Sequence, residues 1–306
     1  MNTESSKIKG QNRAIIVMLV INDLGALPQI AIESVLRVSD SDIIIGYINK
    51  SDIANLSQFT ELEFLDLTED ALRLELKLER DRYRSFDEDY FFQLVQLKWC
   101  LINRILNTNP DFHVIYSDLD VLWVKNVSQL IGESFKTLKD AHVLIQSYTA
   151  NPANPRLCMG IVAFRNSFES RDILEKCIEL HKSMLQSNPR IGDDDVITHY
   201  YKNSEHTSNI RELPQVMFPV GNLLNLYSRK NLYPALHAET PYVFHANHVV
   251  GLQKKIELLE IFSKNQSIPL QSISLRHRLY LKILVRLRFA KYNLKQTIYF
   301  LQRLER

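Results

Sequence analysis

Apolar runs and amphipathic stretches alternate along the first half of the chain. Short apolar runs are typical of buried strands, whereas apolar residues at helical spacing predict helices. Strands are predicted at 14–21, 42–49 and 64–67, and helices at 28–38 and 87–108, the second ending before Asn109-Pro110. This β-α-β order predicts an α/β fold with a mostly parallel central sheet covered by helices.

The second half continues the same alternation. Further strands are predicted at 114–116, 141–146, 161–165 and 242–245, and further helices at 171–187 and 252–262. No internal repeat or low-complexity linker interrupts this pattern. We therefore expect one α/β domain at 1–265, followed by a separate helical segment at 266–306.

The composition fits a globular protein. Its 306 residues are 45% hydrophobic, enough for a substantial core. The three cysteines, Cys100, Cys158 and Cys177, have unrelated spacings that indicate neither a disulfide framework nor a zinc site. The first apolar run, 14–21, is too short for a membrane span. We expect a reducing, cytoplasmic location.

The charge is unevenly distributed along the chain. The formal net charge is +2, yet 266–306 holds nine Lys or Arg residues and one acidic residue. Apolar and basic positions repeat along 272–306, which predicts an amphipathic helix on an anionic membrane surface, at the inner face of a membrane. Packing on the chain's own domain and an oligomer contact are the alternatives. No nucleic-acid partner is expected, because no reader motif accompanies the charge.

Two carboxylates follow the predicted strand 114–116. If the backbone stays extended, Asp118 and Asp120 lie on the same side of it. Their repulsion calls for a cation, and oxygen-rich sites suit Mg²⁺ or Mn²⁺. An ordinary surface turn is the alternative, but the apolar run 121–124 argues against it. Because Gly-rich phosphate loops such as GxGxxG are missing from the sequence, a metal would have to hold any diphosphate.

Polar residues in two further places are candidates for the same site. Lys98 lies within the apolar stripe of the helix 87–108, so it either pairs with an anion or extends its amine to water. Asn22 and Asp23 follow the first strand, where a simple strand-ending turn is one interpretation.

A second acidic cluster, Asp193, Asp194 and Asp195, begins an apolar helical pattern. A helix cap and a favourable helix-dipole charge explain one of the three carboxylates. A carboxylate beside an anomeric carbon acts as a nucleophile or stabilises an oxocarbenium-like centre. We therefore take all three as catalytic candidates.

A third cluster follows the strand 242–245. Its histidines are candidate metal ligands, its lysines candidate phosphate contacts, and its glycine allows close backbone approach. The cluster consists of His245, Asn247, His248, Gly251, Lys254 and Lys255. A capped helix start with ordinary surface histidines is the alternative.

These clusters together resemble the nucleotide-diphospho-sugar transferases of glycosyltransferase family 77. The resemblance spans about 14–262. Its specific parts are the Asp118-x-Asp120 pair with the downstream Trp123, and the pattern His245-x-Asn247-x-x-x-Gly251-x-x-x-Lys255. Lys98, the run from Met159 to Arg165 and the Asp193 cluster occur in the family's order.

The resemblance implies a GT-A fold, a UDP-sugar donor, a Mn²⁺ or Mg²⁺ ion and retention of anomeric configuration. By resemblance, Asp120 binds the metal, Asp118 touches the metal or the ribose, and His245 completes the metal shell. Gly160 would lie against the donor sugar. Asn22 and Asp23 lie where such folds hold the base and ribose, with a simple turn as the alternative. The acceptor would be a glycan, a lipid-linked molecule or a protein, as in polysaccharide biosynthesis.

One pattern is shared with a related family, and the sequence departs from family 77 in two places. His248-x-x-Gly251-x-x-Lys254 matches a motif of the related family 8, so either histidine is a candidate ligand. Family members usually have Asp-Gln where this chain has consecutive aspartates, and Asn-x-Gly where it has Cys158-Met159-Gly160. The extra carboxylate favours a covalent nucleophile and leaves the sugar open.

Two other functions remain as alternatives. One is a non-catalytic module that binds sugar nucleotides or glycans. The other is an Asp-x-Asp phosphatase, whose family has Thr or Val at the position of Leu122.

Overall fold

The computed structural model describes most of the chain up to residue 264. The described residues are 14–22, 24–76, 89–148, 154–204, 207–215, 217–220, 241–247 and 251–264. Their strands are β1 (Ala14–Val20), β2 (Asp42–Tyr47), β3 (Leu62–Asp66), β4 (His113–Ser117), β5 (Val121–Trp123), β6 (Val143–Ser147), β7 (Leu157–Phe164), β8 (Ile210–Glu212) and β9 (Val243–His245).

Helices connect and cover these strands. They are α1 (Leu27–Leu36), α2 (Thr68–Arg73), α3 (Asp89–Leu94), α4 (Gln96–Thr108), α5 (Val127–Thr137), α6 (Phe168–Ser187), α7 (Asp193–Asn203) and α8 (Leu252–Lys264). Two short 3-10 helices span Lys50–Leu56 and Thr207–Asn209.

Seven strands form one sheet in the order β3-β2-β1-β4-β7-β6-β8. β1 pairs in parallel with β2 and β4, β2 with β3, and β6 with β8, whereas β7 runs antiparallel to β4 and β6. β5 and β9 form a separate antiparallel pair. The expected α/β fold with a mostly parallel sheet is confirmed.

The hydrophobic core lies on both faces of the sheet, and β1 is therefore buried along its whole length. Ile16 and Met18 pack on one face, with α1, α5, α8 and the β5–β9 pair. Ile15 and Val17 pack on the other face, with α4, α6 and α7. Each fully buried aliphatic side chain contributes about 1.5–3 kcal/mol. A continuous apolar strand of this kind is typical of a sheet covered on both sides.

Most predicted elements exist, but their bounds differ. The helix predicted at 87–108 is two helices, α3 and α4, separated at Val95. β7 begins at Leu157, four residues earlier than expected. β5 and β8, with three residues each, were not predicted, because the period-2 pattern is undetectable over so short a run.

The basic segment 266–306, with its predicted membrane contact at 272–306, lies outside the described residues. Among the helices that the structure does describe, none combines the length and apolarity needed to cross a bilayer.

Candidate functional site

The acidic pair lies in a tight turn between β4 and β5. The Val121 N–H donates to the Asp118 carbonyl at 3.2 Å, so the backbone here is not extended as the alternation argument assumed. The Trp123 indole N–H donates to Ser117 Oγ at 3.1 Å across this turn. The Trp123 backbone N–H donates to Ser34 Oγ on α1 at 2.9 Å. The tryptophan therefore fixes the turn that carries both carboxylates.

His245 reaches the acidic turn through strand pairing. In the β5–β9 pair, His245 lies opposite Val121, and the Ala246 N–H donates to the Asp120 carbonyl at 2.8 Å. His245 Nε2 lies 3.2 Å from Asp120 Oδ1. One ligand atom from each of Asp118, Asp120 and His245 lies within 4.8 Å of the others. The pairing thus joins groups more than a hundred residues apart.

Lys255 approaches the same carboxylate from α8. Its Nζ lies 2.5 Å from Asp120 Oδ2. Burial raises the pKa of Asp120, but the neighbouring Lys255 and His245 lower it by more. The pKa of Asp120 therefore lies below its ordinary value. Gly251 precedes α8 with φ +104°, a conformation that only glycine adopts without strain, and it leaves open space where a Cβ would lie. Lys254 is exposed.

Lys98 joins the acidic turn to the second acidic cluster. Its Nζ lies 2.8 Å from Asp118 Oδ1 and 2.7 Å from Asp193 Oδ2. The residue is only 8% exposed, so its amine is paired with anions and does not extend to water. Burial alone would lower the pKa of Lys98, but Asp118 and Asp193 together raise it well above its ordinary value.

The three consecutive aspartates at the start of α7 have separate contacts. Asp195 is exposed, and its Oδ2 accepts the Gly192 N–H at 3.2 Å, which caps the helix. Asp193 pairs with Lys98. Asp194 accepts the Met159 N–H at 2.6 Å and the Tyr148 O–H at 2.5 Å.

The environment of Asp194 also shifts its titration. Burial, and next the charge of Asp193, raise the pKa of Asp194 to about 7, although the hydrogen bonds from Met159 and Tyr148 oppose this rise. Among the three carboxyl groups, Asp194 therefore becomes partly protonated near neutral pH.

Gly160 lies beneath the imidazole of His245. A Cβ at position 160 would lie 1.9 Å from His245 Cε1, so only glycine leaves room for the ring. The Gly160 carbonyl also accepts the Asp118 N–H at 2.8 Å. The contact of Gly160 with a donor sugar stays a prediction.

Asn247 and Asn22 lie at the same edge of the sheet. Asn247 Nδ2 donates to Tyr148 Oη at 3.0 Å and to Cys158 Sγ at 3.6 Å. Asn22 follows β1 with φ +67°, a left-handed conformation that asparagine tolerates, as expected for a strand-ending turn. The other predicted residues, Asp23 and His248, lie outside the described residues.

Two tyrosines of the site were not found from the sequence. Tyr116 donates its O–H to Asp118 Oδ1 at 3.0 Å, and its ring lies 5.1 Å from Lys98 Nζ. Tyr148 directly follows β6, whose carboxyl end lies at the same edge as that of β4. The one signal in the sequence was the position of each tyrosine near the carboxyl end of a strand. For Tyr148 this signal requires the correct end of β6, which was predicted at residue 146 and lies at Ser147.

The cluster of Asp118, Asp120 and His245 fits a divalent cation. Carboxylate oxygens and an imidazole nitrogen are donors that Mn²⁺ and Mg²⁺ accept in such sites. His245 Nε2 is buried and lies 3.2 Å from Asp120 Oδ1, so the imidazole and the carboxylate can face the same ion. The residues present therefore suit the ion that the Asp-x-Asp motif predicts.

The mostly parallel sheet with flanking helices has the architecture of the GT-A type, and the acidic turn and the histidine lie at its carboxyl edge, where open α/β sheets bind ligands. A family model described as nucleotide-diphospho-sugar transferase matches residues 64–259, and the chain belongs to that family. A comparison with curated proteins finds no match.

Solved glycosyltransferases share the fold. Mouse xyloside xylosyltransferase 1 is similar over 78% of this chain and 99% of its own, with a TM-score of 0.51 and 14% identity. GlyE of Streptococcus pneumoniae TIGR4 is similar over 83% of this chain and 64% of its own, with a TM-score of 0.50 and 16% identity. The bifunctional glycosyltransferase WbbM is similar over 85% of this chain and 50% of its own, with a TM-score of 0.53 and 13% identity. The chain thus spans about half of WbbM and less than two thirds of GlyE, and these likenesses show the fold alone.

Proposed function

We propose that the protein is a metal-dependent, retaining glycosyltransferase that uses a UDP-sugar donor, of the family 77 type with features of family 8. The observation that carries this proposal is the convergence of Asp118, Asp120 and His245 within 4.8 Å at the carboxyl edge of the sheet. Membership in the nucleotide-diphospho-sugar transferase family supports sugar transfer over the phosphatase alternative.

The diphosphate end of the site is formed by the acidic turn, β9 and α8. Asp118, Asp120 and His245 would hold the ion, and His245 is favoured over His248 because it lies beside Asp120. Mn²⁺ or Mg²⁺ bound there supplies positive charge that stabilises the leaving diphosphate. Lys255 already lies at this end, and an ammonium group at that position binds phosphate oxygens.

The reacting end of the site is formed by α4 and α7. Asp193 and Asp194 are favoured over Asp195, whose carboxylate caps its own helix. In a double displacement, the carboxylate of Asp193 or Asp194 attacks the anomeric carbon of the donor sugar, and the bond between that carbon and the diphosphate oxygen breaks. The acceptor hydroxyl then attacks the same carbon, its proton passes to the departed diphosphate, and the bond to the carboxylate breaks, so configuration is retained. Lys98 Nζ lies 2.7 Å from Asp193 Oδ2 and so holds this carboxylate in place at the reacting end.

The remaining contacts complete the proposal. Asn22 and Asp23 would contact the base and ribose, and Gly160 the donor sugar. Residues 1–265 would form the catalytic domain, and 272–306 would attach it to an anionic membrane surface on the cytoplasmic side. The acceptor would be a glycan, a lipid-linked molecule or a protein.

The test is a thermal-shift panel of UDP-glucose, UDP-galactose, UDP-xylose and other nucleotide sugars, each with and without Mn²⁺, followed by donor hydrolysis. We expect one donor to raise the melting temperature only with Mn²⁺. Asp120→Ala and His245→Ala should abolish both the shift and hydrolysis. Asp172→Ala, which removes a surface aspartate paired with Lys176, is the matched control.

Full hydrolysis by Asp120→Ala would exclude the proposal. Metal-dependent binding of UDP without any turnover would instead support the binding-module alternative. Hydrolysis of a generic phosphoester without nucleotide-sugar turnover would support the phosphatase.

A further inference from the structure

The side-chain amide of Asn247 uses only one of its two ends. Its nitrogen donates both available hydrogens, one to Tyr148 Oη at 3.0 Å and one to Cys158 Sγ at 3.6 Å. Its Oδ1 is buried and has no hydrogen-bond partner within the described part of the chain. Buried polar atoms of this kind are rare in folded proteins and call for a ligand or a water.

The orientation of this amide follows from its neighbours. An ionised carboxylate only accepts hydrogen bonds, so Tyr148 must donate its O–H to Asp194 Oδ2, at 2.5 Å. The Tyr148 oxygen is then left as an acceptor for Asn247, and only the nitrogen end of the amide can face it. Asp194 and Tyr148 therefore turn Asn247 Oδ1 away from themselves.

A second amide on the same face of the sheet is also unsatisfied. Gln146 is 0% exposed, and neither its nitrogen nor its oxygen has a partner among the described residues. Gln146 lies opposite Cys158 in the β6–β7 register, so both side chains extend from the same face. Both unsatisfied amides thus lie beside Cys158. Asn247 is the one of the two that is not fully buried, so a ligand rich in hydroxyl groups would supply its missing partner.

The position of Asn247 identifies the part of the ligand it would meet. Asn247 is two residues after His245, at the diphosphate end, and Tyr148 links it to Asp194, at the reacting end. The sugar of a nucleotide-sugar donor is bonded to the diphosphate and carries the anomeric carbon. On the proposed function, on which this step rests, that sugar lies between these two ends.

We propose that Asn247 Oδ1 accepts a hydrogen bond from one hydroxyl group of the transferred sugar and so selects the donor sugar. Gln146, which has no exposed surface, supports this site from β6 beside Cys158 and does not contact the ligand. Tyr148 and Asp194 are positioning residues that fix the orientation of the Asn247 amide.

The experiment measures donor dissociation constants by titration calorimetry with Mn²⁺ at about pH 8, above the pKa of Asp194, where its carboxylate only accepts. The probes are the UDP-sugar that binds best among UDP-glucose, UDP-galactose and UDP-xylose, and its monodeoxy analogues, each lacking one hydroxyl. Wild type should bind one analogue about 5- to 150-fold more weakly than the parent, because that analogue leaves the buried acceptor unpaired. In Asn247→Ala, this one analogue and the parent should bind equally.

Two further variants keep the test independent of the folding of Asn247→Ala. Tyr148→Phe keeps the ring but releases the amide, so it should reduce the same discrimination while the other analogues are unaffected. Gln146→Met should leave the melting temperature of the ligand-free protein unchanged or higher, because an unpaired amide is removed, and should weaken donor binding. Gln129→Met, at an exposed position of α5, should change neither quantity.

Three outcomes would overturn the inference. One is an equal parent-to-analogue ratio in wild type and Asn247→Ala for every hydroxyl. Another is a destabilised Gln146→Met that binds donor normally, which indicates a purely structural role. The third is that no parent donor binds wild type with Mn²⁺, in which case the proposed function fails and the inference fails with it. If the parent donor binds normally but no analogue binds more weakly, only the proposed hydroxyl contact is rejected.

Discussion

The two ends of the candidate site are built from elements on opposite faces of the sheet. The diphosphate end depends on the β5–β9 pair and α8, which pack on one face. The reacting end depends on α4 and α7, which pack on the other. The first end rests on three-residue strands joined over a long sequence separation, whereas the second rests on helices with local hydrogen bonds.

Two bridges made by side chains join these ends in the described part of the chain. One is ionic and runs from Asp118 through Lys98 to Asp193. The other is a hydrogen-bonded chain from Asn247 through Tyr148 to Asp194. The comparison teaches that the alignment of the two ends depends on a few buried polar contacts at the edge of the sheet, so each bridge can be broken separately.

Breaking the ionic bridge should have the largest effect. Lys98→Met leaves the buried Asp193 and the partly exposed Asp118 without their shared cation, which should lower the free energy of unfolding by about 3–5 kcal/mol. Urea denaturation measures the change. Lys176→Met, which breaks a surface pair with Asp172, should have little effect, and equal losses in the two variants would contradict the assignment of Lys98 as a bridge.

Crowding His245 should weaken the diphosphate end alone. In Gly160→Ala the new Cβ displaces the imidazole, so Mn²⁺ affinity should fall by about 10- to 100-fold, as when a ligand loses its orientation. Calorimetric titration with Mn²⁺ measures this. Gly192→Ala is the matched control, since its Cβ would meet Phe92 at an ordinary 3.6 Å. Unchanged Mn²⁺ affinity in Gly160→Ala would show that His245 is not a ligand.

The second bridge should give the stability of the protein a particular dependence on pH. The pKa of Asp194 is about 7 in the folded protein, against 3.8 as its ordinary value, so between these values the native state binds more protons than the unfolded state. Its contribution to the free energy of unfolding therefore falls as pH rises from about 4 to about 7, by on the order of 1–2 kcal/mol after allowance for partial exposure.

Asp194→Asn should remove this slope, and urea denaturation at about pH 5 and about pH 8 measures it in both proteins. The buried histidines, whose pKa values are lowered, contribute equally to wild type and variant, so they cancel in the difference. The same slope in both proteins would show that Asp194 is ionised throughout.

The smallest effect is expected at the third aspartate. Asp195→Ala removes the acceptor of the Gly192 N–H and should lower the free energy of unfolding by about 0.3–1 kcal/mol, the usual range for helix-terminal contacts. Donor hydrolysis should be unchanged. A loss of hydrolysis with normal stability would assign catalysis to Asp195 instead.

The fold and the diphosphate end follow largely from the sequence. The apolar run of β4 and the two aspartates after it located the sheet edge, because strand ends are local features. The apolar surroundings of Lys98 left two possibilities, an amine paired with an anion or an amine extended to water. In the structure the amine is paired with Asp118.

The reacting end was less predictable because it depends on three-dimensional packing. Three identical neighbours, Asp193 to Asp195, cannot be told apart until the phase of α7 relative to α4 and β7 is known. Tyr148 has no motif, and its partners lie 46 and 99 residues away. The acidic turn shows the converse case, in which the extended-backbone argument was wrong although the two carboxylates do lie close together.

The indole of Trp123 makes the acidic turn observable by light. The chain has two tryptophans, Trp99 and Trp123, and both are fully buried. Since Trp123 is tied to the turn itself, a paramagnetic ion bound there should quench its emission, whereas Trp99, which donates to His181, should be less affected. The protein thus contains its own fluorescent reporter of cation occupancy, and single Trp→Phe variants would assign the signal.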